Sequence, residues 1–188
     1  MATTHPDRLH YTGNDEADEL LAREPFALLI GFALDQQVPV QTAFSGPLKL
    51  KQRLGTLDPG KIAATDPARL EEVFREKPAI HRFPGNMAKR VQDLAVVVVA
   101  DYGGDAERIW SEAADGAELR RRIAALPGFG DMKIKAFGAV LAKRFGVEAA
   151  RELDPGHPTL GDVDSPEALE EYQAKKRAYK ASMRAARS

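Results

Sequence analysis

The chain of 188 residues contains no cysteine. Disulfides, iron–sulfur clusters, thiolate zinc sites and a cysteine nucleophile are therefore excluded. Histidine is also scarce, and the four histidines at positions 5, 10, 81 and 157 include no pair at helical metal-ligand spacing. We accordingly predict no metal centre built from cysteine or histidine ligands, and we expect no organic cofactor.

Long apolar runs are absent too. The longest, Leu94 to Ala100, has seven residues, whereas a transmembrane helix needs about 20. The opening residues, MATTHPDRLHYTG, lack the basic and apolar regions of a signal peptide. We therefore expect a cytoplasmic protein, associated with the nucleoid if the source is prokaryotic.

Charge of one sign is not in excess, because 27 Lys and Arg face 28 Asp and Glu for a net charge of −1. Any nucleic-acid binding must then depend on a local basic patch. Residues 118–146 supply one, with seven basic and two acidic residues and a local net charge of +5.

The apolar periodicity predicts an all-α chain. The run 96–99 resembles a buried strand, but no second such run exists to pair with it, so we assign it to a helix. We expect one domain of two small helical lobes with a cleft between them. The predicted helices include approximately 15–22, 26–37, 41–54, 67–74, 86–102, 117–126, 133–145 and a C-terminal helix at 165–187.

The segment Leu126-Pro127-Gly128-Phe129-Gly130 lies between two of these helices, within a helix–hairpin–helix at about 118–146. Its two glycines permit a tight hairpin and a close approach to a ligand. The helix that follows presents free N–H groups and the positive end of its dipole. A phosphate site in a basic patch is one interpretation, and a plain tight turn is the other.

The hairpin, with the helix from Lys133 to Phe145, resembles that of DNA glycosylases related to endonuclease III and 3-methyladenine glycosylase, the HhH-GPD superfamily. Two upstream segments agree in order and spacing. Leu29 to Val38, ending in Leu-Asp-Gln-Gln-Val, resembles the early helix of the family, and Asn86 to Ala95 resembles its N-K-A-x-x-L helix. The resemblance covers about residues 20–146 and implies a partner of double-stranded DNA with a damaged base, bound by a monomer.

The resemblance also implies roles for individual residues. Main-chain amides at Gly128, Phe129 and Gly130 would hold a DNA phosphate, and a structural monovalent cation, K⁺ or Na⁺, would bind the carbonyls of Leu126 and Gly128. Gln37 would fill the gap left by an extruded base, since the glycosidic bond is out of reach inside a stacked duplex. Lys133 and Lys135 are expected to contact phosphate.

Family members that also cut the strand carry a lysine two residues after the second hairpin glycine, where this chain has Met132. The resemblance therefore implies a monofunctional enzyme. A one-residue shift in the alignment would instead bring Lys133 into that role, as a Schiff-base nucleophile.

The catalytic aspartate of the family precedes the next helix. Asp164, in Val163-Asp164-Ser165, matches that context but lies 34 residues after Gly130. Asp154 has the better spacing, 24 residues, but lies in a Pro-Gly loop. Helix capping and an Asx turn are the structural alternatives for the two residues.

The leading hypothesis is a monofunctional DNA N-glycosylase of base excision repair, with an alkylated purine as the preferred substrate. A DNA-recognition module that has lost catalysis is the alternative, and a helical protein adaptor is a third. The basic end of the last helix is either a second DNA contact or a solvated face. We expect Tyr11, Phe26, His81 and Trp110 to lie in the core or on the surface rather than to stack on a base.

Overall fold

The computed structural model of the protein describes residues 3–188, which form helices and turns without any β-strand. The predicted all-α class is confirmed. Two 3₁₀ helices, Glu148–Leu153 and Leu160–Asp162, lie between the last two α-helices. The α-helices are α1 (Asp15–Arg23), α2 (Pro25–Leu34), α3 (Val40–Leu54), α4 (Pro59–Ala64), α5 (Pro67–Arg75), α6 (Pro84–Tyr102), α7 (Arg108–Ser111), α8 (Gly116–Ala124), α9 (Asp131–Arg144) and α10 (Pro166–Ala185).

Several helices begin at a residue whose side-chain oxygen accepts a hydrogen bond from the first turn. Such caps satisfy amides that have no partner within the helix and each stabilise a helix by about 1 kcal/mol. The residues that cap in this way are Asn14, Asp58, Asp66, Asp115 and Ser165.

The core is centred on α2, in which every residue after Pro25 is buried. This helix packs against α1 and α3. The ring of Phe32 lies 5.1 Å from Phe44 of α3 and 4.9 Å from Phe137 of α9, measured between centroids. Such aromatic contacts stabilise the fold beyond the area they bury, so α2 joins the N-terminal helices to the second helix of the hairpin motif.

The helices α4 and α5 pack on α6. Arg53 of α3 donates hydrogen bonds to three backbone carbonyls in the segment 73–78, at 2.7–3.1 Å. The chain that leads from α5 into α6 is therefore fixed against α3, which positions the first turn of α6.

The acidic stretch after α9 forms an ordered layer on that helix. Its two 3₁₀ helices pack along α9. Gly161 approaches so closely that a Cβ atom there would lie 2.6 Å from the carbonyl oxygen of Ala139. The Tyr11 hydroxyl donates to the Leu160 carbonyl at 2.8 Å, so this layer also contacts the N-terminal segment.

The helix α2 ends three residues earlier than its apolar pattern indicates. The pattern predicts a helix as far as Gln37, but the chain leaves the helix after Leu34. The amide of Asp35 donates to the Phe32 carbonyl at 3.2 Å, and the amide of Gln36 donates to that of Leu34 at 2.7 Å. Pro39, which disfavours helix in the residue before it, follows closely.

No helix within residues 3–188 combines the length and the apolar composition needed to cross a bilayer.

Candidate functional site

A groove of about 540 Å³ lies where the α2–α3 turn, the start of α6 and the hairpin between α8 and α9 meet. Gln36 and Gln37 line it from the turn, and Pro127 and Gly128 line it from the hairpin. The structure therefore brings together motifs that are far apart in the sequence. The residues that line it from the start of α6 and its approach are Phe83, Asn86, Met87, Lys89, Arg90 and Asp93.

Gln37 has a left-handed backbone conformation, with φ of 58°, and is the one non-glycine residue of the described chain with positive φ. This conformation costs a residue with a side chain roughly 1–2 kcal/mol. Its side chain is exposed and makes no hydrogen bond to the described residues. Strain of this kind is concentrated at functional sites, and here it presents a free amide at the groove.

His81 stabilises the α2–α3 turn through hydrogen bonds on its buried side. Its Nε2 lies 3.0 Å from the Leu34 carbonyl and 3.1 Å from that of Gln36, and its Nδ1 accepts the amide of Phe83 at 3.0 Å. An accepting Nδ1 means that the ring is neutral, with its proton on Nε2. Burial lowers the pKa of His81, which favours this form. Sequence analysis predicted a core or surface position, and the side chain is buried.

Arg90 connects the two parts of the groove. Its Nη1 donates to Oε1 of Gln36 at 2.5 Å. Its side chain also lies against Gly128, where a Cβ atom would be 2.7 Å from the Arg90 Cδ. This role was not predicted from the sequence, where the adjacent basic residues Lys89 and Arg90 near the start of α6 are the signal that could have indicated it.

The hairpin has the geometry of an anion site. Gly128 has φ of +82°, and Gly130 occupies the N-cap of α9 without any side-chain cap. The first-turn amides of α9 therefore lack helical partners, and the dipole adds partial positive charge there. Within the hairpin, the Leu126 carbonyl accepts the amide of Phe129 at 3.3 Å. The monovalent cation at the Leu126 and Gly128 carbonyls stays a prediction.

The acidic residue in the first turn of α9, Asp131, is neutralised by two cations. It forms ion pairs with Arg120 and, at 3.2 Å, with Lys135. The hydrogen bond from Arg120 is the main cause that lowers the pKa of Asp131. The carboxylate therefore does not cancel the positive potential of the helix end, and Lys135 lies beside the hairpin as its position in the sequence indicated.

Phe129 and Lys133 turn inward rather than toward solvent. The Phe129 ring is buried 6.0 Å from that of Phe137, and the Phe129 amide already donates to the Leu126 carbonyl, so the predicted contact of this amide with a phosphate would have to replace or share that bond. The Lys133 Nζ lies 5.6 Å from the Phe129 ring centroid and 3.5 Å from the Ala33 carbonyl oxygen. Burial lowers the pKa of Lys133 to about 8.

Asp35 is the second inward-facing charge at this place. Burial raises its pKa, while the positive charges of Lys176 and Lys133 oppose that rise. Tyr172 of α10 lies nearby, and its pKa is raised by burial and then by the Asp35 carboxylate. Asp35 was not identified from the sequence as a site residue, and its half-buried carboxylate directly precedes Gln36 and Gln37.

The two aspartates predicted as catalytic lie in different surroundings. Asp154 forms an ion pair with Lys143 at 3.2 Å and accepts the amide of Gly156 at 3.0 Å, which is the Asx turn considered from the sequence. Asp164 is exposed, and α10 is capped by Ser165 rather than by Asp164. No hydrogen bond or ion pair within residues 3–188 links either carboxylate to the groove.

The hairpin, its free helix end and the glutamine turn define the class of helix–hairpin–helix proteins that act on DNA. A comparison with protein families agrees. The family model described as "HhH-GPD superfamily base excision DNA repair protein" matches residues 30–185, and the chain belongs to this superfamily. The family implies binding to DNA and a role in base excision repair. No curated protein and no solved structure matches the chain significantly.

Proposed function

We propose that the protein is a monofunctional DNA N-glycosylase that hydrolyses the base–sugar bond of a damaged base extruded from duplex DNA. The observation that carries the proposal is the groove, with the strained Gln37 and the hairpin of Gly128 both on its lining. The hairpin amides bind a phosphate, which sets the position of the duplex. The Gln37 side chain then occupies the space of the extruded base.

A monofunctional reaction follows from the residue at the family's lysine position. Met132 stands there, 86% exposed, and its thioether cannot form the Schiff base that a lysine amine forms. An alkylated base is the preferred substrate, because a lesion that already carries positive charge departs with little help from the enzyme. Such a substrate therefore tolerates a weak active site.

The catalytic carboxylate stabilises the positive charge that develops on the sugar and activates water. Asp164 and Asp154 are the candidates taken from the family pattern. Asp35 joins them because it is half-buried and directly precedes Gln36 and Gln37, which line the groove.

The test is base release from duplexes that each carry one defined lesion, namely 3-methyladenine, hypoxanthine, uracil or 8-oxoguanine, with an abasic duplex as control. Wild type and the variants Asp164→Asn, Asp154→Asn and Asp35→Asn are compared, with and without alkali. Strand breaks that appear only after alkali support the proposal, and the variant that loses them identifies the carboxylate. Salt-dependent DNA binding without release from any lesion would support a recognition module instead.

A second candidate function, strand cleavage, is favoured by one observation. Lys133 is half-buried one residue beyond Met132, and its pKa of about 8 leaves a sizeable fraction of its amine neutral near physiological pH. A neutral amine can attack C1′ of the ring-opened abasic sugar and form an imine with loss of water, after which β-elimination expels the 3′ phosphate and breaks the strand. Borohydride trapping on an abasic duplex tests it, with Lys135→Met as the control. A covalent adduct that Lys133→Met abolishes and Lys135→Met retains would establish this activity.

A further inference from the structure

The C-terminal helix α10 extends well beyond the body of the protein. Leu169 is buried and Tyr172 and Gln173 are half-buried, whereas every residue from Ala174 to Ser188 is exposed. The last attachment is a pair of amide hydrogen bonds between Gln173 and Gln41, at 2.9 and 3.1 Å. At 1.5 Å per residue, the free part of α10 is about 18 Å long.

The free part of the helix is strongly basic. From Tyr172 to the end of the chain there are six Lys or Arg residues and no Asp or Glu. None of the six forms an ion pair within residues 3–188. Cations favour the negative end of a helix dipole, but that effect is confined to the last turn. Lys176 and Lys180 precede the last turn of α10, so capping of the dipole does not account for them.

Three of these cations share one face of α10, and a fourth follows the helix. Lys176, Lys180 and Arg184 are spaced i, i+4 and i+8 along one side of the helix, and Arg187 lies two residues beyond its last residue. The same side carries Leu169, Tyr172 and Gln173 one or two turns earlier, where α10 packs on the body. We call these four cations the basic stripe. The opposite face is formed by Ala174, Ala178, Ala181 and Ala185.

The basic stripe begins next to the groove and faces the same way as the packed part of α10. Lys176 lies over the Tyr172 ring, 5.7 Å from its centroid, and close enough to Asp35 to act on the charge of its carboxylate. Asp35 is followed directly by Gln36 and Gln37 of the groove. The stripe therefore begins beside the turn that supplies Gln36 and Gln37 to the groove, on the side of α10 that packs on the body.

We propose that the free part of α10 is an arm that binds the phosphate backbone of duplex DNA held in the groove, through the basic stripe. The inference rests on the proposed function only in that a duplex occupies the groove. A row of unpaired cations on one helix face suits a row of phosphates. A membrane-binding helix would need a broad apolar face, whereas the large apolar side chains exposed on this part of α10 are Tyr179 and Met183 alone, and the face opposite the stripe is formed mainly by alanine.

The test compares two double variants with the same change in net charge. Lys180→Gln/Arg184→Gln removes two cations from the stripe, and Ala178→Glu/Ala185→Glu adds two acidic groups to the opposite face. Binding to a fluorescent duplex is measured against salt concentration for each variant and wild type. The stripe variant should bind roughly tenfold or more weakly, and its slope of log K against log[salt] should be less steep by about 1.8, or 0.9 for each lost phosphate contact. The control should keep the wild-type slope.

Equal slopes for the two variants would overturn the arm, because only net charge would then matter. Absence of duplex binding by wild type would overturn it as well, and so would binding to anionic vesicles but not to DNA. Base release on the same duplexes is read separately. A slope that differs as expected, without any base release, would retain the arm and reject the glycosylase. Helical content by circular dichroism checks that both variants remain folded.

Discussion

Gln37 has a backbone conformation that is unfavourable for a residue with a side chain. We predict that Gln37→Gly makes the protein about 1 kcal/mol more stable than Gln37→Ala, because glycine adopts positive φ without the steric cost that alanine keeps. Both variants lack the amide, so both should lose base release to a similar extent. Urea unfolding and the glycosylase assay measure the two effects. If Gln37→Ala were as stable as Gln37→Gly, the strain would be absent.

Lys133 should make stability depend on pH in the alkaline range. Its pKa is about 8 when folded and 10.5 for the free side chain. Between these values the unfolded chain binds more protons than the folded one, so stability rises with pH from 8 to 10.5. At pH 7 the full cost of burying the charge is present, and Lys133→Met should be more stable than wild type by about 2 kcal/mol, given partial solvation.

The measurement is the unfolding free energy of wild type and Lys133→Met as a function of pH. The difference should shrink as pH rises through this window, and a constant difference would exclude the shifted pKa. Lys135→Met, in which the lost lysine is ion-paired to Asp131, controls for removal of a neighbouring lysine.

At the level of single residues, the burial of side chains was predicted better from the sequence than their contacts were. Tyr11, Phe26, His81 and Trp110 are all buried, as expected for large or amphipathic side chains in a small helical protein. The contacts that shape the groove were not predictable, since His81 and Arg90 reach partners that are about 50 residues away in the sequence. Such contacts depend on how helices pack, which composition does not specify.

Among the structural elements, the hairpin offers a matched pair of glycines. We predict that Gly128→Ala lowers stability by about 1–2 kcal/mol, because φ is +82° and the new Cβ would lie 2.7 Å from the Arg90 side chain. Gly130 has φ of −84°, and a Cβ atom added there would have no neighbouring atom within 4 Å. Gly130→Ala should therefore change stability by less than about 0.5 kcal/mol.

The affinity for DNA should respond to Gly130→Ala, although the stability of the protein should not. If the amides around Gly130 bind a phosphate, then the methyl group of Gly130→Ala obstructs it, and affinity falls although stability does not. Calorimetric unfolding and duplex binding give the two readings. Unchanged affinity in Gly130→Ala would argue against a phosphate at this helix end.

Elements with strong end signals were located well from the sequence. The helix α1 begins at Asp15 and α6 ends at Tyr102, both as predicted, and Asn14 and Gly103 are the capping residues. The end of α2 was placed too late because its apolar composition carries no stop signal before Pro39. The 3₁₀ helices after α9 were missed because their stability comes from packing on α9, whereas short helices have little stability of their own.

At the scale of the whole molecule, a net charge of −1 conceals a strong asymmetry. The acidic stretch 147–171 separates two basic regions, the helix–hairpin–helix and the end of α10. Long-range attraction of DNA is therefore weak, and binding must depend on cations close to the phosphates. This arrangement suits recognition at a defined groove better than tight attachment along any duplex.

Arg90 is the residue that connects the α2–α3 turn to the hairpin. Its side chain joins Gln36 to the surface of Gly128, so Arg90→Ala should loosen both while α6 stays intact. Stability should fall by about 1–2 kcal/mol. Amide exchange should accelerate without any DNA present at Gln36 and Phe129, whose amides donate to the Leu34 and Leu126 carbonyls.

Lys89 is the matched control for this last prediction, because it also lines the groove, lies next in the helix and carries the same charge. Its exposed ammonium contacts Asp93 four residues on, at 2.7 Å, and exposed pairs of this kind contribute about 0.5 kcal/mol or less. Lys89→Ala should therefore weaken DNA binding through lost charge but leave amide exchange at the turn and hairpin unchanged. Equal exchange rates in the two variants would mean that Arg90 does not connect the turn to the hairpin. The conformation of each element would then depend on its own contacts, and the groove would not depend on the arginine between them.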